Sequence, residues 1–136
     1  MGGNVREVAL RWTDGLRFTG GPEGRPAILV DGDGRDAVSP VELLLVAAAA
    51  CSASDVVSIL EKQRVTLGAL AVSISGTRRE EYPRRFTALH FRFAVRGEGA
   101  DDTKVRRAVD LSLEKYCSVV ASLAPDIRVT YDVALA

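Results

Sequence analysis

The chain has 136 residues, with 18 basic and 18 acidic side chains, one His and two Cys. A formal net charge of zero provides no overall field to hold a polyanion, so we expect neither nucleic acid nor an anionic membrane as a partner. Two Cys and one His are too few for a disulfide framework or a four-ligand zinc site, and we expect no metal and no cofactor. With 47% hydrophobic and 26% charged residues, the composition predicts one globular domain over residues 1–136.

Targeting signals are not evident in the sequence. The N-terminus lacks the apolar segment of a secretory signal, and the longest apolar run, from Leu43 to Cys51, covers nine residues. A helix needs about 20 apolar residues to cross a bilayer, so we expect a cytoplasmic protein outside the membrane. Thiols are kept reduced in that compartment, so a disulfide between the two Cys would be transient, and catalytic or sensory.

Three short strands are predicted in the first third of the chain, at residues 8–12, 16–19 and 27–30. Val8, Leu10 and Trp12 alternate along the first strand, and Asp14-Gly15 is a typical hairpin turn before the second. These features favour an antiparallel meander.

A long helix is predicted next, from Pro40 to about Arg64. Ser39-Pro40-Val41-Glu42 is a capping box, in which the Ser and Glu side chains satisfy backbone donors at the helix start. Residues 43–51 are apolar nearly all round, so we expect this helix to be buried on every side. The few strands of a small chain can hardly cover it, and we therefore predict a homodimer in which two such helices pack beneath two sheets.

The second half predicts a hairpin, a helix and a last strand. The hairpin consists of a strand around residues 70–75 and a strand at residues 86–96, in which alternate apolar residues share one face: Leu89, Phe91, Phe93 and Val95. His90 faces the other way and is expected to be a surface or hydrogen-bonded His. A helix capped by Asp101-Asp102-Thr103 is predicted to reach about Leu123, and residues 127–135 alternate as a strand. The order of elements, βββ-α-ββ-α-β, favours an α+β fold with antiparallel sheets.

The two cysteines are the candidate chemical groups. Cys51 lies in the middle of the first predicted helix and Cys117 in the second, so their thiols can meet if the helices pack side by side. The alternative is that each is a small buried apolar residue, since free Cys is among the most buried residue types.

A reactive thiol needs a nearby cation or a helix N-terminus to lower its pKa. Cys51 is too far from the start of its helix for the dipole to reach it, and Asp55 and Glu114, each one turn from a Cys, would raise a thiol pKa. A cation from elsewhere in the fold is therefore required. The candidates are Arg11, Arg17, Arg84 and Arg85.

Two motifs resemble the OsmC/Ohr family, and in their details its YhfA-like branch. They are Ser39-Pro40-Val41-Glu42-Leu43-Leu44-Leu45-Val46-Ala47-Ala48-Ala49-Ala50-Cys51 and Lys115-Tyr116-Cys117. The resemblance implies an OsmC-like fold, an intertwined homodimer with two central helices, and a peroxidase that reduces organic hydroperoxides with electrons from a dithiol. It also implies that Cys51 attacks the peroxide and that Cys117 resolves the sulfenic acid as a disulfide.

Two positions differ from the family's characterised peroxidases. Their acidic partner of the catalytic Arg directly follows the Pro, where this chain has Val41. The Gly-Gly-Arg stretch of the Ohr branch is missing, and Arg17 is the nearest candidate for its Arg. A non-catalytic ligand-binding or interaction protein of the same fold therefore stays open beside the peroxidase. A third alternative is an enzyme acting on acyl thioesters, because a long helix wrapped by antiparallel strands also suits the hotdog thioesterases.

Overall fold

The order of strands and helices agrees with the sequence prediction, three strands, a long helix, a hairpin, a second helical region and a last strand. A computed structural model describes residues 3–136. Its residues divide into two compact units, one up to Leu44 and one from Leu45 onward. Each unit contains one three-stranded sheet.

The first unit contains the predicted meander. Its strands run antiparallel in the order β1-β2-β3, namely β1 Ala9–Asp14, β2 Arg17–Gly21 and β3 Ile28–Asp31. Gly15 takes a φ of 51° in the turn between β1 and β2, a conformation that few other residues adopt readily. The apolar side chains that alternate along and just before β1 are exposed: Val8 by 75%, Leu10 by 64% and Trp12 by 65%.

Helix α1, Pro40–Lys62, begins at the predicted capping box. The Ser39 hydroxyl accepts a hydrogen bond from the Glu42 backbone N–H at 3.2 Å. In return, the Glu42 carboxylate accepts one from the Ser39 backbone N–H at 3.0 Å. The helix therefore starts where the prediction placed it, and it ends two residues earlier.

A single chain buries α1 only in part. In the single chain only one stripe of the helix is fully buried, at every fourth residue: Ala48, Ser52, Val56 and Leu60. Val46 is 54% exposed and Leu44 is 37% exposed, so one chain does not bury every side, and burial of the other sides by a second copy stays a prediction. By length and composition the 23-residue helix could also cross a membrane, a test that core helices of soluble proteins pass as well.

The second unit contains the other sheet, in the order β4-β5-β6: β4 Thr66–Arg78, β5 Phe86–Glu98 and β6 Arg128–Leu135. The predicted inner face of β5 is confirmed, since Leu89, Phe91, Phe93 and Val95 are all at most 1% exposed. The expectation of purely antiparallel sheets is wrong at one edge, because β6 runs parallel to β5. A parallel neighbour requires a crossover, which the helical region before β6 supplies.

The second helical region is broken where the sequence predicted one helix to about Leu123. Helix α2, Asp102–Leu111, is capped by the Asp101 carboxylate, which accepts from the Lys104 backbone N–H at 2.8 Å. A π-helical turn, Ser112–Tyr116, follows; Cys117 is then extended, and the short helix α3, Ser118–Ala121, begins after it. The break arises because the Cys117 N–H bonds the carbonyl five residues back instead of four.

Candidate active site

The second unit brings the two cysteines together. Cys51 lies half-buried in α1, and Cys117, at the break between the π-turn and α3, is only 3% exposed. Both are free thiols, and the Cys51 side chain is close enough to raise the pKa of Cys117. The sequence prediction that these thiols can meet therefore agrees with the structure, although Cys117 is not inside a regular helix.

Burial is the main reason why the pKa of Cys117 rises from 9.0 to about 11, because a thiolate in this position would lose its water. The neighbouring Cys51 thiol raises it further, and the backbone N–H groups of Val120 and Val119 lower it in part. Glu114, which the sequence suggested as a cause, is exposed on the π-turn and is not responsible. Cys117 is therefore a neutral thiol at ordinary pH.

A buried hydroxyl pair joins the two cysteine-bearing segments. Ser52, next to Cys51 in the chain, has its Oγ 2.9 Å from the Oγ of Ser112, the first residue of the π-turn. The Ser112 hydroxyl donates to the Asp55 carboxylate at 2.9 Å. Both Ser residues are 0% exposed. The sequence prediction missed this contact, although a Ser on the stripe of Ala48, Val56 and Leu60 could have indicated it.

Three of the four candidate cations are engaged by acceptors in their own surroundings, and the fourth, Arg11, is exposed on β1. Arg17 in the first unit forms ion pairs with Asp14 and Asp36, each at 2.8 Å, and these carboxylates raise its pKa. In the second unit, Arg85 pairs with Asp126 through two nitrogens, at 2.7 and 3.1 Å. The Arg84 guanidinium donates to the Arg79 carbonyl. The role of Arg17 as an activating residue stays a prediction.

His90 is hydrogen-bonded, as the sequence predicted. Its Nδ1 lies 2.7 Å from the Thr130 hydroxyl and its Nε2 lies 3.1 Å from the Asp132 carboxylate, on the face of the sheet away from the apolar core. Among residues 3–136 no group of three or more His, Cys, Asp or Glu side chains could hold a metal ion.

The fold and the thiol pair together define an OsmC-like α+β protein. The family model for "OsmC-like protein" matches residues 32–132, and the chain belongs to this family. Membership indicates a redox or peroxide-related role.

Relatives agree with this assignment over nearly the whole chain. The chain is 44% identical over 126 residues to Protein YhfA of Escherichia coli K12, covering 92% of this chain and 94% of the relative. A crystal structure of a hypothetical protein from Aquifex aeolicus VF5 is similar with a TM-score of 0.85 and 28% identity, over 98% of both chains. An organic hydroperoxide resistance protein from Elizabethkingia anophelis shares the fold, with a TM-score of 0.69 and 15% identity over 98% of this chain and 99% of that one.

Proposed function

We propose that the protein is a thiol-dependent reductase of organic hydroperoxides, with Cys51 as the peroxidatic thiol and Cys117 as the resolving thiol. The observation that carries the proposal is the approach of these two thiols across segments 66 residues apart, within a family that has a peroxide-related role. Two isolated core cysteines have no reason to be adjacent, whereas a resolving thiol must be within reach of the sulfenic acid.

The chemistry divides into two balanced steps. In the first, the Cys51 thiolate attacks one peroxide oxygen; the S–O bond forms, the O–O bond breaks, and the alkoxide takes a proton to leave as an alcohol. In the second, the sulfur of Cys117 attacks the sulfur of the Cys51 sulfenic acid, and hydroxide leaves. Because Cys117 is held as a neutral thiol, its proton completes the water that departs. An external dithiol then reduces the disulfide and restores both thiols.

A cavity lined by aliphatic residues and Pro supports an organic substrate rather than hydrogen peroxide alone. It has a volume of about 190 Å³ and is lined by Val120, Leu123, Ala124, Pro125, Ile127 and Val129. One of its lining residues, Val120, also lies next to Cys117, since its backbone N–H acts on that thiol. An alkyl or aryl group would bury apolar surface there, and this favours hydroperoxides with a hydrocarbon part.

The functional unit in this proposal is a cytoplasmic homodimer. Exposed apolar residues on β1 and α1, including Leu10, Trp12 and Val46, would be covered by the second copy. Arg17 is the proposed activating cation. Its two carboxylate partners hold the guanidinium in a fixed position, which is the role that the acidic residue after the Pro has in the characterised peroxidases.

A non-catalytic binding protein of the same fold is the second candidate. Glu42, the acidic residue closest to the family position, is engaged in the capping box with Ser39. This use of its carboxylate favours a chain in which the activating Arg-Glu pair has been lost.

Consumption of an aryl hydroperoxide decides between the two candidates. Cumene hydroperoxide and dihydrolipoamide would be supplied to the wild type, Cys51→Ser, Cys117→Ser and, as a matched control in α1, Ser54→Ala. We expect turnover in the wild type and Ser54→Ala, none above background in Cys51→Ser, and strongly reduced turnover in Cys117→Ser. A wild type no faster than Cys51→Ser would contradict the proposed peroxidase.

A further inference from the structure

Ser112 makes two contacts that lead to the two cysteines. Its side chain bonds Ser52, the residue that follows Cys51, at 2.9 Å. Its backbone carbonyl accepts the N–H of Cys117 at 2.7 Å. One residue therefore connects the helix of the first thiol to the backbone of the second.

The Asp55 carboxylate, the last acceptor in this series of hydrogen bonds, fixes their direction. The carboxylate of Asp55 can only accept, so the single hydroxyl proton of Ser112 points to it. The Ser52 hydroxyl must then donate to Ser112. A chain of this kind, Ser52 to Ser112 to Asp55, holds both hydroxyls in one rotamer each, because any other orientation would leave a buried polar group without a partner.

The location of Ser112 in the π-turn adds a second constraint. A regular helix would carry the chain past α1 without a break, but the wide turn from Ser112 to Tyr116 ends it and leaves Cys117 extended, with φ −73° and ψ 99°. Single π-turns of this type are rare and are frequent at functional sites. The hydroxyl chain fixes the start of the turn on α1, and the 2.7 Å bond fixes its end at Cys117.

We propose that Ser112 is a positioning residue for the resolving step, because it holds Cys117 against Cys51. Its hydroxyl is bonded to Ser52 and Asp55, and its carbonyl accepts the N–H of Cys117. Ser52 is its partner in the same role. The inference rests on the proposed function in assigning the thiols their roles, but the positioning itself can be measured without any peroxide. Loss of the Ser112 hydroxyl frees the turn from α1, and the two sulfur atoms then meet less often.

The test measures how readily the two thiols form a disulfide in the folded protein. Wild type, Ser112→Ala, Ser52→Ala and the control Ser54→Ala would be equilibrated in glutathione buffers, which gives the effective concentration of one thiol at the other. We expect Ser112→Ala to lower this effective concentration by about tenfold or more, because effective concentrations are sensitive to small misplacements of the reacting groups. Ser52→Ala should lower it less, and Ser54→Ala should leave it unchanged. Far-UV circular dichroism and thermal unfolding would identify any variant that fails to fold. If Ser112→Ala does not fold, the effective concentration in Ser52→Ala, which keeps the Ser112–Asp55 bond, tests the positioning role instead.

The second arm follows the fate of the sulfenic acid. After one equivalent of cumene hydroperoxide, dimedone competes with Cys117 for the Cys51 sulfenic acid. The trapped fraction should rise in Ser112→Ala, whereas the rate of the first oxidation should stay unchanged. A wild type that forms the disulfide with glutathione but does not react with the hydroperoxide contradicts the peroxidase and leaves the positioning role supported by the first arm. A Ser112→Ala variant that unfolds at a lower temperature but keeps the wild-type effective concentration overturns the positioning role, and so does a wild type that forms no Cys51–Cys117 disulfide in any buffer.

Discussion

The backbone N–H of Cys117 donates to the carbonyl of Ser112 over 2.7 Å, and this bond closes a π-turn that interrupts the second helical region before α3. Its consequence is that the Cys117 thiol leaves the helix surface and becomes buried beside Cys51. The reactivity expected of Cys117 follows from that burial.

Cys117 should resist alkylation at ordinary pH. With a pKa of about 11, the thiolate fraction at pH 8 is about one in a thousand, so labelling should be on the order of a hundredfold slower than for a free thiol. Iodoacetamide labelling of the wild type from pH 8 to 10.5, with the peptides that carry Cys51 and Cys117 quantified separately by mass spectrometry, follows this thiol with its neighbour in place. The rate should still be rising at the highest pH, and labelling in urea provides the control. A rate that levels off near pH 8.5 would show that the thiol is not held in its neutral form.

Gly76 in β4 should not tolerate a side chain. A Cβ at this position would lie 2.5 Å from the ring of Phe86 and 3.1 Å from Leu45, and Phe86 is only 6% exposed. We expect Gly76→Ala to lower the free energy of unfolding by about 1 to 3 kcal/mol, the usual cost of overpacking a core. Urea denaturation would measure this loss.

Gly68→Ala in the same strand is the matched control for Gly76→Ala. Its Cβ would lie 2.8 Å from the guanidinium of Arg96, the flexible end of a side chain that can move away, and 3.3 Å from the Arg96 carbonyl, a milder approach than the 2.5 Å at Gly76. The two alanine variants should therefore differ clearly in stability. Equal stability of both would contradict the close approach of Phe86 to β4.

The capping box predicts a pH-dependent contribution from Glu42. The backbone N–H and the hydroxyl of Ser39 bond the carboxylate and hold the pKa of Glu42 below its ordinary value of 4.5. A lowered pKa contributes stability above the unfolded-state value, and this contribution is lost as the pH falls through the folded-state value. Glu42→Gln should therefore be less stable than the wild type at about pH 7, and the difference should shrink toward about pH 2.5.

Urea unfolding at several pH values measures this effect of Glu42. Glu80→Gln, at the exposed hairpin tip between β4 and β5, is the matched control, and its difference from the wild type should not follow the same curve. A Glu42→Gln deficit that stays constant from pH 7 to about pH 2.5 would show that the charge of Glu42 has no part in the cap.

Local patterns in the sequence predicted much of this fold, and the reason is that each pattern has a local physical cause. The capping box needs only four consecutive residues, and the buried face of β5 follows from alternation along a single strand. The proximity of Cys51 and Cys117 followed from two helical regions packing side by side.

The features that the sequence did not predict depend on partners far away in the chain. The parallel pairing of β6 with β5 is set by the path of the connection rather than by either strand's composition. The π-turn requires Ser112 to meet Ser52, 60 residues earlier, and a run of good helix formers gives no signal of it. The exposed sides of α1 agree with the expectation that one small chain cannot cover this helix, and their burial by a second copy stays a prediction.

The exposed apolar residues make the last prediction, that the protein is a dimer in solution. Trp12 is 65% exposed and Val46 is 54% exposed, and they are two of several large apolar side chains on the surface of the single chain. A stable monomer seldom exposes contiguous apolar surface of this kind to water. A carboxylate at a buried interface would lose its water without a partner, so Trp12→Glu and Val46→Glu should each shift the protein toward the monomer. Light scattering coupled to size exclusion would measure the mass. Tyr82→Glu, at an 87% exposed position on the hairpin tip, is the control and should leave the mass unchanged. A wild type that runs as a 14.6 kDa species at all concentrations would contradict the dimer, and α1 would then have to be covered in another way.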